Sequence, residues 1–420
     1  MEKIYIETNG CAVLRHETYK IAKYIELNGY EEISNPKEAN YIIITGCAVI
    51  NENEDYAIDM VKRLYNENKN HAKVIVTGCI PSIASQRIQD ISKDIIQLDN
   101  EHMSGLDDLF GSKIKLSDVT FNVNPKRHHS FGDPQIKITD EELLDLDFAS
   151  KMGELLESDK VVNQFNYSTR GRHLWQENDL FEIRVSYGCT GKCSYCATKL
   201  AIGDFKSVNE EIILKQALLA KKLGYKRIML MGDEIGAWHE YDKNIVDLVD
   251  DILKIDPDFK IGIRYIQPEI IVKNYERFKH LFENGSVCYF CSAFQSGSEK
   301  ILKLMNRNPN IELFIKCMED MEKNHYPVIR HTQVIVGFPG ESDLDFLKTI
   351  MCLQRASFDH VTISAYSRRE GTKAYTLLPL DDDIINYRMD FINEWLKFNR
   401  NSKIYCTVRD EVNAKKLIKK

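Results

Sequence analysis

The sequence contains no apolar run long enough to span a bilayer, and Met1-Glu2-Lys3-Ile4-Tyr5 lacks the basic-then-apolar build of a signal peptide. Both absences argue against a membrane or exported protein and lead us to expect a cytoplasmic one. Basic excess is missing too. A net charge of −7 excludes a protein whose whole surface tracks phosphate, although a local basic groove remains open. Outside the three-cysteine loop described below, Cys288 and Cys291 form the CxxC spacing that zinc sites favour. Those two lie in the apolar run 287–294, which reads as a core strand. With Cys317, Cys352 and Cys406 they read as small buried hydrophobes, with metal binding at Cys288/Cys291 as the lesser alternative.

Cysteine itself is plentiful. Eleven cysteines in a reducing compartment point to metal ligation or burial rather than disulfides. Three of them, Cys189, Cys193 and Cys196, form a CxxxCxxC loop just after the apolar run 181–185. Three thiolates on one loop can hold three irons of a 4Fe-4S cluster and leave the fourth without a protein ligand, open for chemistry. A zinc site and a disulfide loop are the competing readings, and an odd count of three suits both poorly.

With 420 residues and 43% hydrophobic composition the chain should form two or three domains. Short β-branched runs at 3–7, 41–45, 73–77 and 95–98 alternate with helical patterns at 17–28 and 55–68, the pattern of a parallel sheet covered by helices. Three of these strands run into Gly-Cys: Gly10-Cys11, Gly46-Cys47 and Gly78-Cys79. In parallel α/β sheets ligand sites gather beyond the carboxyl ends of the strands, so Cys11, Cys47 and Cys79 are expected to converge in a second three-cysteine site. A glycine before each cysteine would let the backbone approach a bulky inorganic group. Three unrelated buried thiols are the alternative.

Residues 112–179 are less regular and read as a linker with a helical acidic segment at 140–158. His128-His129 reads as a solvated loop rather than a metal site. Arg170, Arg172 and His173 beside Trp175 could contact an anionic or aromatic substrate group. From residue 180, six β/α repeats are expected, with strands at 182–186, 227–231, 260–265, 287–294, 329–336 and 360–365. A final helix is expected over 383–399.

The CxxxCxxC loop, with Tyr195 before its last cysteine, resembles the signature of radical S-adenosylmethionine (SAM) enzymes. The segments Met231-Gly232-Asp233-Glu234, Gln295-Ser296-Gly297-Ser298, Leu304-Met305-Asn306-Arg307 and 335–341 (IVGFPGE) follow in the order seen in the methylthiotransferase family. The small α/β domain with three cysteines placed ahead of them narrows the resemblance to that family. The resemblance implies an α/β fold: an N-terminal parallel α/β sheet domain (1–111), a linker (112–179), a partial (β/α)6 radical SAM barrel (180–382) and a C-terminal helix and tail (383–420).

It further implies two 4Fe-4S clusters, on Cys189/Cys193/Cys196 and on Cys11/Cys47/Cys79, and SAM as cosubstrate. Gly232, Asp233 and Glu234 would receive the SAM ammonium, Gln295 and Ser296 the ribose, Arg307 the carboxylate, and Gly337 the adenine. Tyr195 would line the same site. Read singly, each of these loops could be ordinary turn chemistry. The family converts a C–H bond of a tRNA adenosine or a ribosomal-protein side chain to C–SCH3, and takes electrons from a one-electron donor such as flavodoxin or ferredoxin. A monomer is expected.

Two departures stand out. Leu14 occupies a position where the family usually has Asn, and residues 401–420 are too few for the family's C-terminal TRAM barrel. That shortfall and the acidic balance lead to the expectation of a peptide or protein substrate, with tRNA as the alternative. Sulfur insertion without methylation and a non-catalytic iron–sulfur scaffold are the readings of other classes.

Overall fold

The computed structural model describes residues 2–119, 180–398 and 405–409. The expected helix at 140–158, His128-His129 and the Arg170–Trp175 group lie outside the described residues. The chain divides into two compact units, and the described part of the first comprises 2–119 together with 196–204.

The first unit is a five-stranded, wholly parallel sheet of β1 (Lys3–Thr8), β2 (Glu31–Glu32), β3 (Tyr41–Gly46), β4 (Lys73–Gly78) and β5 (Ile96–Gln97), in the order β2-β1-β3-β4-β5. Period-2 alternation sorts its side chains onto two faces. Ile43 and Ile75 pack beneath α1 (Ala12–Leu27) and α4 (Gly105–Phe110), while Ile42, Ile44, Val74 and Val76 pack on α2 (Asn51–Asn68) and α3 (Ile80–Ile91). Both faces are covered, which is why these strands are nearly continuous in β-branched residues. α1 and α2 begin several residues earlier than the apolar period indicates, and α3 lacked a clear sequence signal. The unit also runs past the boundary expected at 111, because Leu116 and Val119 are buried in the same core as Tyr19 and Tyr24.

The second unit holds a seven-stranded parallel sheet of β6 (Leu180–Arg184), β9 (Arg227–Met231), β12 (Lys260–Arg264), β13 (Val287–Cys291), β14 (Ile329–Val336), β15 (His360–Ala365) and β16 (Tyr405–Arg409), each strand beside its predecessor. Two short antiparallel pairs, β7/β8 (Ser186–Tyr187 with Lys206–Ser207) and β10/β11 (His239–Glu240 with Lys243–Asn244), decorate the loops. The six expected strands are present, and β16 adds a seventh, paired in parallel with β15 from His360↔Tyr405 to Ser364↔Arg409. No helix of the described residues is long and apolar enough to cross a membrane.

One face of this sheet, with Ile183, Leu230, Ile263, Phe290, Val334 and Ile363, packs on the connecting helices. Tyr289, His331 and Thr362 belong to the other face. There Tyr289 Oη and Thr362 Oγ1 bracket the His331 ring at 2.8 and 2.9 Å, and His331 stacks on His360 with ring centroids 4.0 Å apart. Burial, then the neighbouring His360, hold His331 well below the ordinary histidine pKa, so the ring is neutral.

Candidate functional site

In the first unit, β1, β3 and β4 are in register through Thr8↔Thr45↔Thr77, so their carboxyl ends are level. Cys11, Cys47 and Cys79, which follow those ends, are brought together. Cys47 and Cys79 are buried with Leu14 and Ala201, and Cys11, Val49 and Ile83 pack against them. The backbone around them is pinned by polar side chains. Asn9 Oδ1 accepts from Cys47 N at 2.7 Å, Cys79 N donates to Gly46 O at 2.9 Å, and Asn53 Nδ2 donates to Cys47 Sγ at 3.5 Å. Cys11 and Cys79 each immediately precede a helix, α1 and α3, whose N-terminal amides favour an adjacent thiolate.

The glycines before these cysteines serve the chain's own packing. A Cβ on Gly46 would meet Ile80 Cγ2 at 2.6 Å, and one on Gly10 would meet Leu14 Cβ at 2.6 Å. Gly78 sits at φ +88° with room only for hydrogen, since a Cβ would lie 2.9 Å from Gly46 O. Leu14, the departure from the family pattern, is thus a wall of the cysteine site.

In the second unit Cys189 and Cys193 lie on the loop after β7. A Cβ built on Gly191 would stand 3.2 Å from Cys189 Sγ and 3.7 Å from Cys193 Sγ, so the two sulfurs flank this glycine closely. Arg184 at the end of β6 and Asp233 after β9 pair at 2.8 Å, and Asp233 Oδ2 accepts from Gly188 N at 3.2 Å, which anchors the start of the loop. The Met305-Asn306-Arg307 segment straps its middle. Ser194 N donates to Met305 O at 2.9 Å, Asn306 Nδ2 to Lys192 O at 2.7 Å, and Arg307 Nη1 to Cys193 Sγ at 3.5 Å. Cys196 opens the segment 196–204, which packs with the first unit, where its short helix α5 (Lys199–Ile202) carries Ala201 into the wall around Cys47 and Cys79.

The first site suits a thiolate-bound inorganic group, with its sulfurs among apolar side chains and helix N-termini beside Cys11 and Cys79, while on the second loop Cys189 and Cys193 face each other across Gly191. Among the described residues no three Cys, His, Asp or Glu side chains close tightly enough to hold a single metal ion. Cys288 and Cys291 are not a third site. An offset of three puts them on opposite faces of β13, and burial pushes both thiols up to about 12.

The residues expected at SAM fare differently. Tyr195 Oη takes a hydrogen bond from Arg307 Nη1 at 3.3 Å, and its ring meets Phe338 edge-on. Gly232 has no room for a side chain between Ser186 and Ile235. Asp233 is engaged by Arg184 and Gly188 and so acts on the cysteine loop. Glu234 is buried, accepts from Gly236 N at 2.9 Å, and burial pushes its carboxyl up to about 7 against the opposing hydrogen bonds of Gln267 and Gly236. Gln295 is strained at φ +65° and nine-tenths buried, and its Oε1 has no hydrogen-bond partner among the described residues. Ser296 is wholly buried, with its hydroxyl accepting from Ser298 N at 3.2 Å, which ties it into the turn.

Gly337 sits at φ +80° against Ile385, and its N–H donates to Glu341 Oε2 at 2.8 Å. Sequence reasoning missed three contributors: Arg184, Gln267 and the Glu341–Arg388 pair. Only Arg184, a charge inside an apolar strand, left a readable sign.

Two family models match the chain: the radical SAM superfamily over residues 183–353 and the uncharacterized protein family UPF0004 over residues 3–98. A probable threonylcarbamoyladenosine tRNA methylthiotransferase of Pyrococcus abyssi is 27% identical, covering 100% of this chain and 88% of its own length. The ribosomal protein uS12 methylthiotransferase RimO of Acetivibrio thermocellus is 27% identical over 90% of this chain and 78% of its own. Among solved structures, the radical S-adenosylmethionine methyltransferase TsrM of Kitasatospora setae aligns with a TM-score of 0.59 at 10% identity, over 89% of this chain and 77% of that one, a likeness of fold.

Proposed function

For a chain that belongs to the radical SAM methylthiotransferases, we propose that the substrate is a tRNA adenosine whose C–H bond becomes C–SCH3, and that two 4Fe-4S clusters serve the reaction. Cys189, Cys193 and Cys196 would hold one, and Cys11, Cys47 and Cys79 the other. The observation that supports the reading is the gathering of Cys11, Cys47 and Cys79 beyond the carboxyl ends of β1, β3 and β4, with Cys189 and Cys193 flanking Gly191 on the loop after β7. Such groups supply, when bound, reductive cleavage of SAM at the first site and sulfur at the second.

The chain's own residues bind and orient. Glu234, poised near neutrality, is drawn to its ionised form by an adjacent ammonium. Gln295 offers its unpartnered Oε1 to a hydroxyl such as a ribose presents. Arg184 and Asp233 hold the first cysteine loop in place, while the Glu341–Arg388 pair holds Gly337.

The tRNA reading draws on the tRNA relative that covers the whole chain. The net charge of −7 favours a protein side chain as the second reading, in line with the ribosomal-protein relative.

The test is anaerobic reconstitution followed by assay. Iron should approach about eight per chain, two cuboidal clusters' worth. Reduction with SAM should yield 5′-deoxyadenosine and S-adenosylhomocysteine. Mass spectrometry should find the methylthio group in tRNA nucleosides. A modified protein fraction with unmodified tRNA would select the second reading, and 5′-deoxyadenosine with no S-adenosylhomocysteine would reduce the activity to sulfur insertion.

A further inference from the structure

Arg307 carries a positive charge into the second unit with no carboxylate among its hydrogen-bond partners in the described residues. Its guanidinium donates instead to Cys193 Sγ at 3.5 Å, to Tyr195 Oη at 3.3 Å and to the carbonyl of Ala293 at 2.8 Å. The geometry does not depend on a bound molecule. Arg307 N is tied to Leu302 O at 2.8 Å, Asn306 takes the left-handed φ of +54°, and the same segment bonds Lys192 O and Ser194 on the cysteine loop. The cation is therefore preset against a sulfur, with Tyr195 bracing it from the side.

We infer that Arg307 is a positioning residue that sets the reduction potential of the cluster on Cys189, Cys193 and Cys196, in addition to any contact with SAM. This rests on the reading that those cysteines hold a cluster. A low-potential one-electron donor adds one electron there. No bond forms or breaks in that step, and no proton moves, since a guanidinium stays protonated throughout. The added negative charge spreads onto the thiolate sulfurs, where a charge-assisted donor stabilises the reduced form and raises the potential. Without Arg307 the same electron enters a site with one cation fewer.

The test uses the full reconstituted chain and a redox titration followed by electron paramagnetic resonance, with dithionite as reductant. The cluster whose spectrum changes on adding SAM is the one to follow. Arg307→Gln should shift its midpoint to more negative potential in samples titrated without SAM, and Arg307→Lys should recover part of the shift. Tyr195→Phe, which removes the brace and keeps the cation, should give a smaller shift in the same direction and covers the case in which Arg307→Gln loses its cluster. An unshifted midpoint in Arg307→Gln without SAM, alongside weakened SAM binding, overturns the inference and leaves Arg307 a ligand of SAM alone. A wild-type protein with no SAM-responsive signal overturns the underlying reading with it.

Discussion

At the scale of single residues, burial decides how the candidate site is charged. Glu234 is held at about 7 against an ordinary 4.5, because the surrounding side chains exclude water that would solvate the carboxylate. A folded-state pKa above the unfolded one contributes stability that is complete below about 4.5 and is lost as pH rises through about 7. Glu234→Gln should remove that contribution while keeping the acceptor for Gly236, so Tm measured across this range should slope less than in the wild type. An unchanged slope would show that Glu234 does not titrate there.

Gly78 makes a second residue-scale case. Its φ of +88° and the 2.9 Å approach of a would-be Cβ to Gly46 O mean that Gly78→Ala should cost roughly 1–3 kcal/mol, read by denaturant unfolding. It should also lower iron loading at the neighbouring cysteines. A glycine before a cysteine was visible in the sequence. That it spares a backbone contact with the adjacent strand required the register of β3 on β4.

Among the elements, the last described helix, α6 (Asp382–Phe398), does more than close the core. Its Ile385 fills the space beside Gly337, and Arg388 donates to Glu341 Oε2 and to Asp343 Oδ1, both at 2.8 Å. Arg388 and Glu341 are both almost fully buried, so removing one partner strands the other. Arg388→Met should therefore cost about 3–5 kcal/mol, and Glu341→Gln added to it should return part of that loss, because the unpaired buried charge is then gone. Isothermal titration should show weaker SAM binding in Arg388→Met as the Gly337 turn loosens. Wild-type affinity would separate the turn from the cosubstrate.

The element pattern itself was largely legible. β9, β14 and β15 begin and end where the sequence pattern places them, because their helix-facing residues, such as Leu230, Val334 and Ile363, are apolar. The early start of α1 at Ala12 was not legible, since the cysteine ahead of it is no ordinary helix cap. Nor was β16, whose five residues gain their identity from pairing with β15.

For the whole molecule, the roles proposed for the two sets of cysteines make a testable pair. Replacing Cys11, Cys47 and Cys79 together with Ala should halve the iron content while 5′-deoxyadenosine still forms, and the methylthio product should disappear. Cys193→Ala should instead abolish 5′-deoxyadenosine. If the triple variant kept its full iron or its product, the first unit would not be the sulfur site.

What the sequence determined by itself was the chemistry-bearing inventory: six cysteines in two spacings, strand–Gly–Cys three times over, and the order of loops after the barrel strands. These are local patterns, and local patterns survive without knowledge of the fold. Tertiary structure decided which groups are free. It engaged Asp233 with Arg184, tied Ser296 into its turn, left Gln295 Oε1 without a partner and set Arg307 against Cys193. The reason is that a side chain's availability depends on neighbours distant in sequence, such as Arg184 and Asp233 or Cys193 and Arg307, and no spacing along the chain encodes them.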